Sequence, residues 1–262
     1  MKIKIWENEM DYLKKMQFLE NEILDFIVKI CSENNLKYWL DFGTLLGAVR
    51  HQGFIPWDDD IDIAMQREDY KKFQNFFSNY DSDGRFDIIF YEDKFLKVID
   101  KKSYVIDEKG EKINIFVDIF PFDYYSNKIL INFIDKFFIE IHKYKTNKTF
   151  IKSLKNIFIN LRKEIYKKVL KKIFIKKRLT FSERKLYMGR AVETNFKINI
   201  LRIDEIFPLS KLEFENKLYN VPKQYDKYLK KIYGNYMKFP PENERHTHQI
   251  VKELYILNKK VY

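Results

Sequence analysis

Residues Tyr38–Met65 read YWLDFGTLLGAVRHQGFIPWDDDIDIAM, and no other stretch packs so many groups able to do chemistry into so short a span. A Gly-Thr turn at Gly43-Thr44 is followed within twenty residues by the carboxylate run Asp58-Asp59-Asp60-Ile61-Asp62. The hydrophobic pattern around it is that of a short strand, Leu36–Asp41, a helix from Thr44 to His51, and a second strand, Asp60–Ala64. Gly53 reads as the glycine that ends the helix, and Ile55-Pro56-Trp57 re-extends the chain because proline disfavours helix at and before itself.

Side chains alternate along a strand, so Asp60 and Asp62 are expected on one face with Ile61 and Ile63 on the other. Two carboxylates so placed can share one Mg²⁺ or Mn²⁺ or hold a pair, since hard oxygen donors suit these ions. The competing reading of adjacent acids is a solvated acidic turn. Gly43 and Thr44 weigh against it. A glycine after a strand lets the backbone approach a phosphate, the following helix directs free N–H groups at the anion, and Thr44 adds a hydroxyl. Arg50 offers a bidentate phosphate contact. The combination predicts a site for a divalent metal and a nucleotide diphosphate.

A third carboxylate would complete a metal pair or take a proton from an acceptor hydroxyl. Asp118, inside the apolar run INIFVDIFPFD, is the candidate, because an acid in an apolar strand needs a reason. Asp123, past Pro121, and Asp100, beside a lysine pair, read as surface residues. Lys97 is placed to reach phosphates or to sit in solvent. His51 adjoins the motif. His246 and His248 fall in a loop with Arg245 after Pro240-Pro241.

Outward from this stretch, residues 8–33 carry Leu13, Met16, Leu19, Ile23, Phe26, Ile27 and Ile30 at helical spacing, ended by Asn34-Asn35. Glu68–Tyr80 reads as helix, Phe86–Tyr91, Phe95–Ile99 and Ile113–Phe120 as strands. Near the end, Leu212–Asn220 reads as strand and Gln224–Tyr233 as helix stopped by Gly234. Strands mixed with helices and hairpins in this way predict an α+β fold with a mixed sheet rather than a doubly wound one.

The 262 residues, 45% hydrophobic and 17% aromatic with only 7 Gly and 6 Pro, exclude disorder. The single Cys31 excludes an intrachain disulfide and a cysteine-built zinc site and fits a reduced compartment. The N-terminus lacks a signal-peptide core and no run is apolar enough to span a bilayer, so a cytoplasmic protein is expected. The net charge of +11 is local: residues 128–178 hold sixteen Lys and Arg against Asp135, Glu140 and Glu164. Two or more basic amphipathic helices there suit an anionic inner leaflet, a phosphate-rich acceptor or plain solvent. Nucleic acid is not the expected partner, because it leaves the aspartates unexplained.

GTLLGAVRHQGFIPWDDDIDIAM resembles the signature of the LicD/fukutin-like phosphotransferases, a branch of the nucleotidyltransferase fold. The resemblance continues at Val117-Asp118-Ile119-Phe120-Pro121, at Phe207-Pro208-Leu209 and at VPKQYDKYLKKIYGNYMKFPP. It implies a core over residues 1–127, a basic helical insertion over 128–180, and a C-terminal part of the catalytic unit over 181–262. Such proteins move a phospho-substituent, typically phosphocholine from CDP-choline, or ribitol phosphate from CDP-ribitol, to a sugar of a surface glycan such as lipopolysaccharide, teichoic acid or capsule, which can be lipid-linked.

By this resemblance Gly43 and Thr44 bind phosphate, Asp60 and Asp62 supply the first carboxylate pair and Asp118 the third, all toward Mg²⁺ or Mn²⁺. Gln52 stands where a basic residue is common. A choline-type donor would favour an aromatic cage, for which Trp57, Tyr233 and Tyr236 lie near motifs. A metal-dependent glycosyltransferase is the enzymatic alternative, since Asp-x-Asp also holds sugar nucleotides.

Overall fold

The computed structural model describes residues 12–77, 84–125, 186–191, 194, 197–247 and 251–261. The basic helices expected over 128–178 lie outside the described residues. The chain divides into two units, Met1–Phe120 with Ile206–Tyr262, and Pro121–Glu205.

The larger unit is α+β. Helix α1 (Tyr12–Glu33) leads to strand β1 (Tyr38–Leu40), helix α2 (Phe42–His51), strand β2 (Asp62–Gln66) and helix α3 (Arg67–Phe77). Strands β3 (Phe86–Tyr91), β4 (Phe95–Asp107) and β5 (Lys112–Tyr125) follow. The sheet runs β1-β2-β5-β4 and continues through β10 (Val251–Ile256) and β11 (Lys259–Lys260). β3 pairs with the first half of β4 and β10 with its second half, both antiparallel.

β2 is buried on both faces, with Ile63, Ala64 and Met65 all fully covered. α1 buries Leu13, Met16, Leu19, Ile23, Ile27 and Ile30 of the stripe read from its period, with Cys31 beside them, while Phe26 is half-buried. Phe26 of α1 stacks on Phe86 at 4.7 Å, and Glu22 receives Arg85, so the helix is held against the sheet.

The remaining elements are a hairpin, β8 (Ser210–Phe214) and β9 (Lys217–Val221), and a helix, α4 (Tyr225–Tyr233). The single strand expected over Leu212–Asn220 is this hairpin; Glu215 and Asn216 adopt φ of 48° and 62°, the geometry of a two-residue turn. Gly234 ends α4 as expected, at φ 69°. In the smaller unit the last part of β5 pairs with β6 (Tyr187–Arg190), which pairs with β7 (Leu201–Arg202).

Four local expectations are corrected. α2 ends at Gln52 (φ 54°), and Gly53 is small for another reason: a Cβ there would lie 2.3 Å from Glu215 Oε1. Pro121 does not close the strand region but lies inside β5, between the residues that pair with β4 and those that pair with β6, where no ladder N–H is required. Asp123 therefore sits on a strand opposite Gly189. Asp100 is fully buried, accepting from Arg85 Nε at 3.1 Å and Lys102 N–H at 2.9 Å.

Candidate active site

β1 passes into α2 without a linker, and this abruptness shapes the site. The Asp41 N–H donates to Asp62 O (3.0 Å), prolonging the β1–β2 ladder by one bond. Asp41 then caps α2 in extended conformation without a side-chain cap bond; its carboxylate instead accepts from the hydroxyl of Tyr228 on α4, both fully buried. Phe42, the first helical residue, has φ 41°, strained for a side chain with a Cβ and typical of tightly constrained functional turns.

Gly43 lies one residue into α2, not before it. A Cβ on it would fall 2.5 Å from Asp58 Oδ2, so the helix N-terminus and the aspartate run approach each other through this glycine. Thr44 is 2% exposed and its Oγ1 accepts the Asp62 N–H at 2.8 Å, which pins the start of β2 to α2 and leaves the hydroxyl proton to donate.

β2 begins at Asp62 rather than at Asp60, and Asp60, half-buried, precedes the strand, although the Ile61 carbonyl still accepts the Asp118 N–H at 2.8 Å. The two still interact. Burial, then repulsion from Asp60, Asp118, Asp41 and Asp58, raises the Asp62 carboxyl well above the usual carboxylate range. Asp58 and Asp59 are 8% and 2% exposed. Asp58 is held through its backbone, with O accepting Gln17 Nε2 of α1 at 2.8 Å.

One turn along α1 from Gln17 stands an acid that sequence reasoning missed. Glu20 is 2% exposed, and its Oε2 is buried without a hydrogen-bond partner. Burial followed by repulsion from Asp60, Asp59, Asp58 and Asp118 pushes its carboxyl far up. The signal was present: Glu20 occupies the apolar stripe of α1, between Met16 and Ile23.

Asp118 sits on β5 directly opposite Lys97 on β4. Lys97 Nζ donates to Asp118 Oδ1 at 2.7 Å in a pair whose side chains are 11% and 9% exposed. Burial raises the Asp118 carboxyl to about 7 against the lowering effect of Lys97, with Asp60 adding to the rise. Lys97, expected at the phosphates, is thus committed to the third carboxylate.

A second wall gathers the other candidates. Arg50 donates from Nη1 to Tyr236 O at 3.2 Å, its guanidinium lies 4.7 Å from the Phe239 ring, and its buried Nε lacks a partner. Burial lowers its pKa, opposed by Tyr233 and Asp58. His51 packs edge-on to Phe239 (5.8 Å), and burial followed by the Arg50 charge lowers its pKa, which favours neutral imidazole. Tyr236 is buried, and its hydroxyl donates to Asp226 at 2.8 Å, a supporting role; Tyr233 is 40% exposed. Trp57 is half-buried under the guanidinium of Arg245, 5.5 Å from the ring. Arg245, read as a loop residue, also approaches Phe239 at 5.6 Å.

A divalent ion fits the chemistry of the aspartate face: Glu20, Asp62 and Asp118 are all held high by burial and by neighbouring carboxylates. Among the described residues no three acids, imidazoles or thiols stand in ready ligand geometry. Mg²⁺ binds through one or two carboxylates plus substrate phosphates rather than in an all-protein cage. Asp60 and Asp62, with Asp118 beside them, would hold it.

Comparison with known proteins agrees with the fold and the motif. The nucleotidyltransferase domain described as LicD/FKTN/FKRP matches residues 35–162. Lipopolysaccharide cholinephosphotransferase LicD of Haemophilus influenzae is 30% identical over 94% of this chain and 98% of its own length. An uncharacterized Rickettsia typhi protein is 35% identical over 38% of this chain and 33% of its own. Human ribitol 5-phosphate transferase FKRP is 42% identical over 48 residues, 18% of this chain and 10% of that protein. The α+β architecture is consistent with the nucleotidyltransferase-like fold, and the chain belongs to the LicD family.

Proposed function

We propose that the protein transfers phosphocholine, or a similar phospho-alcohol such as ribitol phosphate, glycerol phosphate or phosphoethanolamine, from a CDP-linked donor to a sugar hydroxyl of a cell-surface glycan, releasing CMP. The observation that carries this reading is the full-length similarity to a lipopolysaccharide cholinephosphotransferase. The shared short segment with a ribitol 5-phosphate transferase supports the reaction class and keeps the alcohol open. When bound, Mg²⁺ or Mn²⁺ would hold the donor's diphosphate and offset the charge that grows on the transferring phosphoryl oxygens.

The protein's own groups divide the remaining work. Asp60 and Asp62 would hold the ion. The first turn of α2, where Gly43 lets the Asp58 carboxylate come close and Thr44 keeps a hydroxyl proton to donate, would offer backbone N–H groups and that hydroxyl to phosphate oxygens. Arg50, with its Nε still without a partner, supplies a fixed guanidinium. Asp118, titrating near 7, accepts the proton of the acceptor hydroxyl as it attacks phosphorus. The hydroxyl oxygen forms the new P–O bond as the bond to the CMP oxygen breaks.

The basic stretch 128–178 supports a peripheral seat at the inner leaflet, where lipid-linked acceptors are built; no helix among the described residues is long and apolar enough to cross a membrane. Incubation with Mg²⁺ and a panel of CDP-alcohols, with and without glycans, is expected to release CMP in an acceptor-dependent way from CDP-choline or one close analogue. CMP release from none of the panel would refute the proposal.

A further inference from the structure

We infer that Lys97 is the site's built-in second cation, so that one divalent ion rather than a pair works beside Asp118. The inference rests on the metal-dependent reading above and deepens it. Lys97 and Asp118 are direct cross-strand partners, joined at 2.7 Å. Three rings face the ammonium: Phe116 at 3.4 Å, Tyr91 at 4.9 Å and Phe95 at 5.5 Å from their centroids. Such an enclosure stabilises a monovalent cation through the ring quadrupoles. The ring faces supply no oxygen ligand of the kind a divalent ion needs. The place beside Asp118 Oδ1 is therefore shaped for an ammonium and not for a metal.

Two-ion phosphoryl-transfer sites space their metals about 3.5–4 Å apart, bridged by shared carboxylates. Lys97 already donates to Asp118 Oδ1, so a second ion bridged at that oxygen would have to share it with an ammonium. An ion on Oδ1 itself, at about 2.1 Å, would stand within roughly 5 Å of the ammonium, beside side chains only 11% and 9% exposed, where like charges repel. The fixed charge does part of what a second metal does elsewhere: it holds the third carboxylate in place and offsets its charge.

The test is a Mn²⁺ titration of the full chain with saturating CDP, reading free Mn²⁺ by electron paramagnetic resonance. The wild type is expected to bind one Mn²⁺ per chain. Lys97→Met, which keeps the apolar stem among the rings and removes the charge, is expected to take up a second Mn²⁺ at least tenfold more tightly than the wild type does. Lys97→Arg is expected to stay at one, and thermal melts establish that each variant is folded. Two tightly bound Mn²⁺ in the wild type overturn the inference whatever the variants do, and so does a folded Lys97→Met with unchanged stoichiometry and affinity. No Mn²⁺ bound by the wild type overturns it together with the metal-dependent reading, an outcome distinct from the other two.

Discussion

β4 and its neighbours hold two buried aspartates, each with a cation, and the pairs are built to opposite ends. Asp100 is fully buried and well supplied with donors: the Arg85 guanidinium and the Lys102 N–H both reach it, and Arg85 is shared with Glu22. Asp118 has Lys97 on one oxygen, yet burial, with the charge of Asp60 adding to it, outweighs that cation and raises its carboxyl to about 7. Both are acids in apolar strands. The structural one has its charge answered by donors, while the other keeps an unmet demand that a metal and a proton can fill.

The sharpest way to break this contrast is to neutralise one member of each set. Asp60→Asn or Asp62→Asn is expected to lower kcat by roughly 10³-fold or more, because several kcal/mol of charge stabilisation depend on the ion they hold. Without divalent ions at neutral pH, Asp62→Asn should also melt no lower than wild type, since it removes a carboxylate that burial and its neighbours destabilise. Near-normal turnover in either variant sinks the assignment. Asp100→Asn should do the reverse: a loss of roughly 2–3 kcal/mol in denaturant unfolding, as expected for breaking a buried pair whose Arg85 partner keeps some solvent. Its folded fraction should keep normal turnover. A kcat defect in Asp100→Asn at full folding would place it with the active-site acids instead.

The two classes of aspartate also mark how far the sequence could be read. α1, β3, the end of α4 and the α+β class followed from period and turn chemistry, which are local properties. Asp118 stood out because an acid in an apolar strand needs a reason, yet the same rule applied to Asp100 and was overridden by its lysine neighbours in sequence. Those lysines are adjacent along the chain; the partner that buries Asp100 is Arg85, fifteen residues away across a β pair. The strand expected from Asp60 starts two residues later, where Thr44 anchors the Asp62 N–H, a contact eighteen residues away that no local alternation encodes. Glu20, Arg245 and the Tyr228–Asp41 bond belong to the site's surroundings through long-range contacts that no local pattern encodes.

Glu20 extends the comparison to an acid whose Oε2 has no hydrogen-bond donor at all. Its folded pKa lies well above its ordinary value, so it favours the folded state at low pH, and that contribution is lost as pH rises toward the folded value. Glu20→Gln keeps the shape and removes the ionisation. Melted without divalent ions, the variant should match wild type at pH 5 and exceed it by a few degrees at pH 8. Parallel curves for the two proteins across that range would show that Glu20 does not respond to the aspartate face.

The smallest effect concerns a cation held by rings without a carboxylate. Trp57 lay within reach of a cage for the donor's quaternary ammonium, yet the guanidinium of Arg245 already approaches its ring at 5.5 Å. A side chain that supports an internal arginine contributes to every donor alike, whereas a cage wall contributes to choline alone. Cation–π contacts at partly exposed sites are worth about 0.5–1 kcal/mol, so Trp57→Ala should raise KM only about two- to fivefold. The rise should be equal for CDP-choline and an uncharged CDP-alcohol, because the ring acts through Arg245. A rise confined to CDP-choline would return Trp57 to the cage and move Arg245 aside when donor binds. An equal rise would leave Arg50 and Arg245, set around Phe239, as the wall that meets the nucleotide's phosphates.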